Sequence, residues 1–313
     1  DAKQQERLRE VLSTTLEQVI LMPAESDEHQ RVQANGALLQ AFLSAKKIEG
    51  CSGKTLRYYQ STIEALLDTV QKRIGDLDTN DIRSYLACYQ EERGSSRVTI
   101  DNLRRIFSSF FAWLEDEAYI DKSPVRRIHK VRTESLVKEV LSDEDLEELR
   151  DICSEIRDLA MIDLLASTGM RVGELVKMNR EDIDFHERQC VVFGKGNKER
   201  EVYFNARTKI HLRQYLDSRT DCNSALFVSL ASPHNRLTIG GVENRLKELG
   251  KRAGLNKVHP HKFRRTLATM AIDKGMPIEQ VQRLLGHVKI DTTLHYAMVN
   301  QANVKMAHRK YIG

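Results

Sequence analysis

What this 313-residue chain has little of narrows it first. Aromatic residues make up 6% and Trp occurs once, while 30% of residues are charged, the balance of an ordinary water-facing globular protein. No apolar run reaches the ~18–20 residues that a membrane-spanning helix needs, so no membrane role is expected. The opening Asp1-Ala2-Lys3-Gln4-Gln5 has no apolar signal region, which argues against secretion. The first residue is not Met, so further residues are expected ahead of it. The five cysteines, Cys51, Cys88, Cys153, Cys190 and Cys222, are odd in number, far apart and without a C-x-x-C pair. That excludes a disulfide framework and a zinc knuckle, and fits a reducing cytoplasm, in the cytosol or on a nucleoid. The net charge of +4 is too small to name a partner by itself. Its distribution says more.

At this length two domains are expected. Leu8, Val11, Leu12, Leu16, Val19 and Ile20 recur at helical spacing and predict an amphipathic helix over 1–22, closed by Pro23 and the polar stretch 24–33. Residues 1–33 then read as an N-terminal arm, packed on its own domain or reaching a neighbouring protomer. Between 34 and 121 the pattern predicts four helices, near 36–48, 53–73, 79–93 and 97–119. Gly50, Gly75 and Gly94 stand at the breaks, with Thr79 and Ser96 placed as caps. Ile63, Leu66, Leu67 and Val70 mark one buried face, and Ile106, Phe107, Phe110, Phe111 and Leu114 another. Lys54, Arg57, Arg104 and Arg105 fall on the polar sides, as solvated charge or as contacts to phosphate.

Residues 122–140 change character. Lys122, Arg126, Arg127, Lys130, Arg132 and Lys138 greatly outnumber acids there, and Pro124 argues against a continuous helix. This reads as an extended basic linker against a polyanion. A second domain, 141–300, opens on the capping-box spacing of Ser142-Asp143-Glu144-Asp145. It continues through an apolar helix near 155–167, and Arg171 stands at the start of the next, where unpaired amides favour an anion. Cys190-Val191-Val192-Phe193 and Glu201-Val202-Tyr203-Phe204 flank a Gly- and Asn-rich basic connector, a β-hairpin signal. Helices return near 207–217, 240–253, 261–274, 278–286 and 290–299, and the tail 301–313 carries Lys305, Arg309 and Lys310 with no acid.

The chemistry gathers late in the chain. His261 and Arg264 share a helix face at i and i+3, His287 ends the next helix, and Tyr296 follows nine residues on. With Arg171 and the hairpin Lys195 they would supply guanidiniums, imidazoles, an ammonium and a phenol. No cluster of carboxylates stands out beside them to hold a divalent cation. In such a set the protein's own cations neutralise a phosphoryl group. Tyrosine is then the natural nucleophile, and a lysine can protonate the leaving oxygen. Taken singly each residue has a plainer role, as an ion pair, a turn or packing; the conjunction is what points to chemistry.

In this order the motifs closely resemble the tyrosine recombinase family, phage integrase and Xer-type. The resemblance runs from about Leu38 to Tyr296. It rests on Thr168-Gly169-Met170-Arg171-Val172-Gly173-Glu174-Leu175, Gly194-Lys195-Gly196-Asn197-Lys198-Glu199-Arg200, Pro260-His261-Lys262-Phe263-Arg264-Arg265, Leu284-Leu285-Gly286-His287 and Thr292-Thr293-Leu294-His295-Tyr296. In the first half Ser52-x-x-Thr55-x-x-x-Tyr59 is similar to the family's core-binding signature.

The resemblance implies a mainly α fold: a helical core-binding bundle and a mostly helical catalytic domain with a small sheet, closing as a C-shaped clamp on DNA. It implies that Arg171 and Arg264 grip the scissile phosphate, that Lys195 is the general acid, and that His261 assists proton transfer. His287 would hydrogen-bond a phosphate oxygen, Tyr296 would be the nucleophile, and Glu174 would support the set from behind. Tyr311 is a rival nucleophile at the wrong spacing. No cofactor or metal is implied. The partners implied are duplex DNA recombination sites, with a dimer on each site, a tetramer in the synapse and accessory DNA-bending or directionality proteins. Lys54, Arg57, Arg104, Arg105, Arg126, Arg127, Lys130, Arg132, Lys262 and Arg265 are the candidate DNA contacts. Arg265 stands where the family commonly has His, and its role is open. The expected function is a site-specific recombinase or integrase of a mobile genetic element. The alternatives are an Xer-type chromosome or plasmid resolvase, a type IB topoisomerase, and a non-enzymatic DNA-binding module.

Overall fold

The computed structural model describes residues 27–132, 139–194 and 199–286. The predicted helices over 1–22 and 290–299, and the tail, lie outside the described residues, as do Lys195, His287, Tyr296 and Tyr311. The chain divides into two compact units, 1–135 and 136–313. Both are mainly helical.

The first unit is built on α1 (Asp27–Ile48), α2 (Gly53–Val70), α3 (Thr79–Arg93) and α4 (Arg97–Asp116). Its core gathers their apolar faces, with Phe42, Ile63, Phe107, Phe110 and Phe111 fully buried. The Phe42 ring meets Phe110 edge-on at 5.1 Å and lies 5.6 Å from Trp113. Such aromatic pairs add to plain area burial. The Ser52–Tyr59 signature has a local meaning here. Ser52 caps α2, its Oγ accepting from the Thr55 amide at 3.2 Å, and Tyr59 stacks on Phe42 at 5.8 Å.

Several expectations need correction. The stretch 24–33 does not keep α1 from starting at Asp27, nine residues before the expected boundary. Side chains from this early turn are anchored: Asn35 Nδ2 donates to Lys72 O at 2.9 Å, Asn35 Oδ1 accepts from the Ile74 amide at 3.0 Å, and Arg31 donates to Gln71 O. A polar sequence thus stays helical because tertiary contacts satisfy it. The break after α2 comes at Gln71, which takes the left-handed conformation (φ 53°) expected of Gly75. The cap of α3 is Asp78, whose side chain accepts from the Asn80 and Asp81 amides. Thr79 instead donates its hydroxyl to Pro124 O at 2.8 Å. Residues 122–132 are not a detached strap either. Val125 is buried in the bundle core, and the Val131 amide donates to Asp101 Oδ1 at 3.1 Å.

The second unit centres on α6 (Ile156–Thr168), surrounded by α5 (Asp143–Asp151), α8 (Ala206–Asp217), α9 (Ile239–Arg252) and α10 (Pro260–Asp273). Its short companions are α7 (Val172–Leu175) and α11 (Ile278–Leu285). α6 is buried on every side, including its charges. Asp158 is held by Arg157 and by Arg245 Nε at 2.6 Å, and Asp163 by Arg150 Nε at 2.7 Å and His211 Nδ1 at 2.5 Å. Pairing of this kind is what lets carboxylates sit in a core. Ser142 caps α5 with the expected box.

The hairpin is present and gains a third strand. β1 (Ile183–Asp184), β2 (Gln189–Phe193) and β3 (Glu199–Tyr203) form an antiparallel sheet in that order, with Val192 opposite Arg200. Cys190, Val192 and Val202 face the core while Val191, Phe193, Glu201 and Tyr203 face out. Among the described residues, no helix is long and apolar enough to cross a membrane.

Candidate active site

The site forms where the end of α6, the one-turn α7, β3, α10 and the end of α11 converge. α6 stops at Gly169 in the left-handed region (φ 57°), with its amide returned to Leu165 O. That turn presents the Gly169 carbonyl to Arg264 Nη1 at 2.8 Å. Pro260 starts α10 at a position where its missing N–H costs nothing, which sets His261 and Arg264 on the first turns. α11 ends at Gly286, also left-handed (φ 62°).

The last carbonyls of α11 organise the guanidiniums. Arg200 Nε donates to Leu284 O at 3.3 Å, Arg264 Nη2 to Leu285 O, and Arg171 Nη2 to Gly286 O at 3.2 Å. The C-terminal carbonyls of a helix lack partners and carry partial negative charge, so three arginines are a fitting cap. His287 is the next residue in the chain, and its placement is not described.

Glu174 is the counter-charge at the centre. It is 5% exposed, and both oxygens are engaged. Oε1 accepts from Arg171 Nη1 at 2.9 Å and Arg200 Nη1 at 2.7 Å; Oε2 accepts from the Arg171 amide at 2.8 Å and Arg200 Nη2 at 2.7 Å. Burial alone would push its pKa up. The Arg200 hydrogen bonds, then the Arg171 amide, outweigh it and hold the carboxyl below the usual range. The expected vacancy for an anion at the start of α7 is therefore corrected: α7 is a single turn, and Glu174 already occupies the Arg171 amide. What Arg171 can offer an anion is its side chain, 36% of which remains accessible. Arg264 is buried, at 3%.

His261 lies at the solvent edge of this cluster, its ring 6.4 Å from that of His259. Partial desolvation, then the charges of Arg264, Arg171 and Arg265, lower its pKa below the ordinary 6.5. The neutral ring, able to accept a proton, is favoured.

Of the expected site residues, Arg171, His261 and Arg264 are brought together; Lys195, His287 and Tyr296 lie outside the described residues. Among the candidate DNA contacts, Lys54, Arg57, Arg105, Arg126, Arg127, Lys130 and Arg132 are exposed. Arg104 is tied to Asp101 at 2.9 Å on the same helix. Lys262 is a correction: it is 5% exposed, and its ammonium donates to Asn256 O at 3.1 Å, bracing the turn before α10. Arg265 acquires a role, since its Nη2 donates to Glu139 O at 3.0 Å. Beside it the Thr266 hydroxyl accepts the Leu141 amide at 2.8 Å. Together they hold the chain entering the second unit against α10. The residue that motif reading passed over is Arg200. A signal for it exists: Arg200 lies two before Val202 and so falls on the inward face, where a charge demands a partner.

Comparison with known proteins places this architecture. Residues 139–303 match the phage integrase family, and residues 38–121 match the N-terminal SAM-like domain of phage integrases. The tyrosine recombinase XerC of Oceanobacillus iheyensis is 32% identical over 289 residues, covering 87% of this chain and 94% of the relative. XerC of Staphylococcus aureus is 30% identical over 283 residues, covering 86% and 94%. Among solved structures, the XerA recombinase is 26% identical with a TM-score of 0.51, over 88% of this chain and 98% of that one. The Tn1549 transposon integrase in complex with circular intermediate DNA is 19% identical with a TM-score of 0.65, over 86% and 98%. A lambda integrase dimer bound to a core site is 19% identical with a TM-score of 0.67, over 94% and 86%. The chain belongs to the phage integrase family of tyrosine recombinases. It is a tyrosine site-specific recombinase.

Proposed function

We propose that this enzyme cleaves and rejoins duplex DNA at specific sites through a 3′-phosphotyrosine intermediate. The observation that carries the reading is the convergence of Arg171 and Arg264 on the end of α11, immediately ahead of His287. Two guanidiniums fixed in this way hold the non-bridging oxygens of a phosphodiester and offset the charge that grows there. The Tyr296 hydroxyl attacks phosphorus, one P–O bond forms to tyrosine, and the bond to the 5′-oxygen breaks. His261 takes the phenolic proton, Lys195 protonates the departing 5′-oxygen, and His287 donates to a phosphate oxygen. One diester replaces another, so the reverse attack by a 5′-hydroxyl reseals the strand without an energy source.

The substrate is a pair of DNA recombination sites, with a dimer on each and a tetramer in the synapse. The exposed arginines and lysines of the first unit and of 122–132 supply phosphate contacts, which position the protein without reading sequence. The likeness to XerC, 32% identity over 87% of this chain, favours an Xer-type site. A mobile-element end is the second reading, resting on the amphipathic pattern of residues 1–22.

The test is trapping on a nicked suicide duplex. The wild type is expected to form a covalent protein–DNA adduct and Tyr296→Phe to form none; an adduct with Tyr296→Phe would overturn the nucleophile. Mapping the cleaved positions on chromosomal candidate sites and on element ends decides between the two readings. Relaxation of supercoils in DNA lacking either site would turn the reading toward a topoisomerase. Specific binding with no cleavage product would leave a binding module.

A further inference from the structure

Arg171 has an electrostatic difficulty that its own contacts create. A guanidinium paired with a buried carboxylate is, seen from a phosphate, close to a neutral pair, and Glu174 lies 2.9 Å from Arg171 Nη1. Left alone, the pair would forfeit much of the attraction that two clamping arginines should exert.

Arg200 resolves this. It meets both Glu174 oxygens at 2.7 Å in the bidentate geometry that suits a carboxylate, at 12% side-chain exposure. With Arg264 included, the cluster of three arginines and one glutamate carries two net positive charges. The surplus is available at Arg171, the most accessible of the three. Arg200 is also tied down by contacts that a surface arginine lacks. Its Nε is committed to Leu284 O, and its Cδ fills the space beside Gly286, where an added Cβ would come to 2.8 Å. Gly286 is thus required twice, for its positive φ and for this approach.

We propose that Arg200 is a positioning residue of the recombinase: it neutralises Glu174 so that the Glu174 carboxylate can orient Arg171 without cancelling its charge, while pinning β3 to the end of α11. It touches no reacting atom. Its effect on the phosphate runs through Glu174 and Arg171, and the inference rests on the reaction proposed above.

A double-mutant cycle tests it, because a merely structural brace would not be relieved by removing the carboxylate. Single-turnover adduct formation on the nicked duplex and affinity for the same duplex are measured for the wild type, Arg200→Ala, Glu174→Gln and the double variant. Arg200→Ala is expected to slow adduct formation by roughly 10–100-fold, the scale known for partners that orient metal ligands, with affinity changed far less. The double variant is expected to recover most of that loss, since no buried negative charge is left to offset. Arg200→Ala at the wild-type rate, or a double variant no faster than Arg200→Ala, would overturn the role. Should Arg200→Ala fail to melt cooperatively, Arg200→Lys against Arg200→Gln decides: a faster Lys variant is expected, and equal rates would overturn it. A wild type that forms no adduct sinks the reaction itself and this role with it; a wild-type adduct with an unaffected Arg200→Ala sinks the role alone.

Discussion

Gly169→Ala offers a quantitative probe of how the arginine pocket is built. Gly169 sits at φ 57°, and an added Cβ would lie 2.8 Å from Leu267 Cδ2, 3.1 Å from Leu285 Cδ2 and 3.7 Å from Arg264 Cα. The left-handed backbone costs an alanine about 1–2 kcal/mol. Both leucine contacts are side-chain tips that can rotate, but Leu285 is fully buried, so relief disturbs packing. Overpacking of that kind costs roughly 1–3 kcal/mol. The total is roughly 2–5 kcal/mol. Gly254→Ala is the control: φ is 69° with nothing within 4 Å, so only the backbone cost applies. The two variants share the entropy that a glycine loses from the unfolded chain, and their difference isolates the clash at about 1–3 kcal/mol. Thermal melting of the full chain reads it, since each kcal/mol moves Tm by about 2–4 °C in a unit of this size. Gly169→Ala is also expected to slow adduct formation, because the displaced backbone carries the carbonyl that holds Arg264. Equal Tm values for the two alanine variants would refute the packing account, and an unchanged cleavage rate would refute the link to Arg264.

Three further outcomes follow from the same structure. The His261 pKa is lowered from the ordinary 6.5, so the loss of adduct formation as pH falls should have its midpoint below 6.5; a decline centred above 6.5 would remove His261 as proton acceptor. His259 is lowered as well, and the unfolded chain binds more protons at both, so each subtracts stability as pH drops from the unfolded value toward the lower folded one. Under a thiol reagent at mildly alkaline pH, exposed Cys88 and Cys222 should react first. Cys190, whose thiol burial pushes up to about 12, should react only on unfolding, and labelling of native Cys190 at the rate of Cys88 would contradict its burial.

Helical periodicity and glycine placement made most of the architecture legible. The bundle, the hairpin and the stops at Gly50 and Gly94 all depend on neighbours a few residues away. The misses share a cause. Asp27–Ile48 is longer than its pattern implies because Asn35 and Arg31 reach 71–74. Lys262 reads as a surface cation because chain order does not reveal that Asn256 O awaits it.

The sequence by itself carried the expectation: Arg171 and the His261–Arg264 pair at helix starts, Lys195 in a hairpin connector and Tyr296 nine residues after His287, in an order that resembles the family's. Those are local facts, carried by residue identity and helical period. Only the tertiary structure decided what holds the arginines. Leu284, Leu285 and Gly286 serve through their carbonyls, which every residue possesses, so no side chain announces them. Arg200 reaches Glu174 from 26 residues away. A cap on one helix made by arginines from three other elements is a property of how the chain folds back, and nothing within a few residues of any of them encodes it.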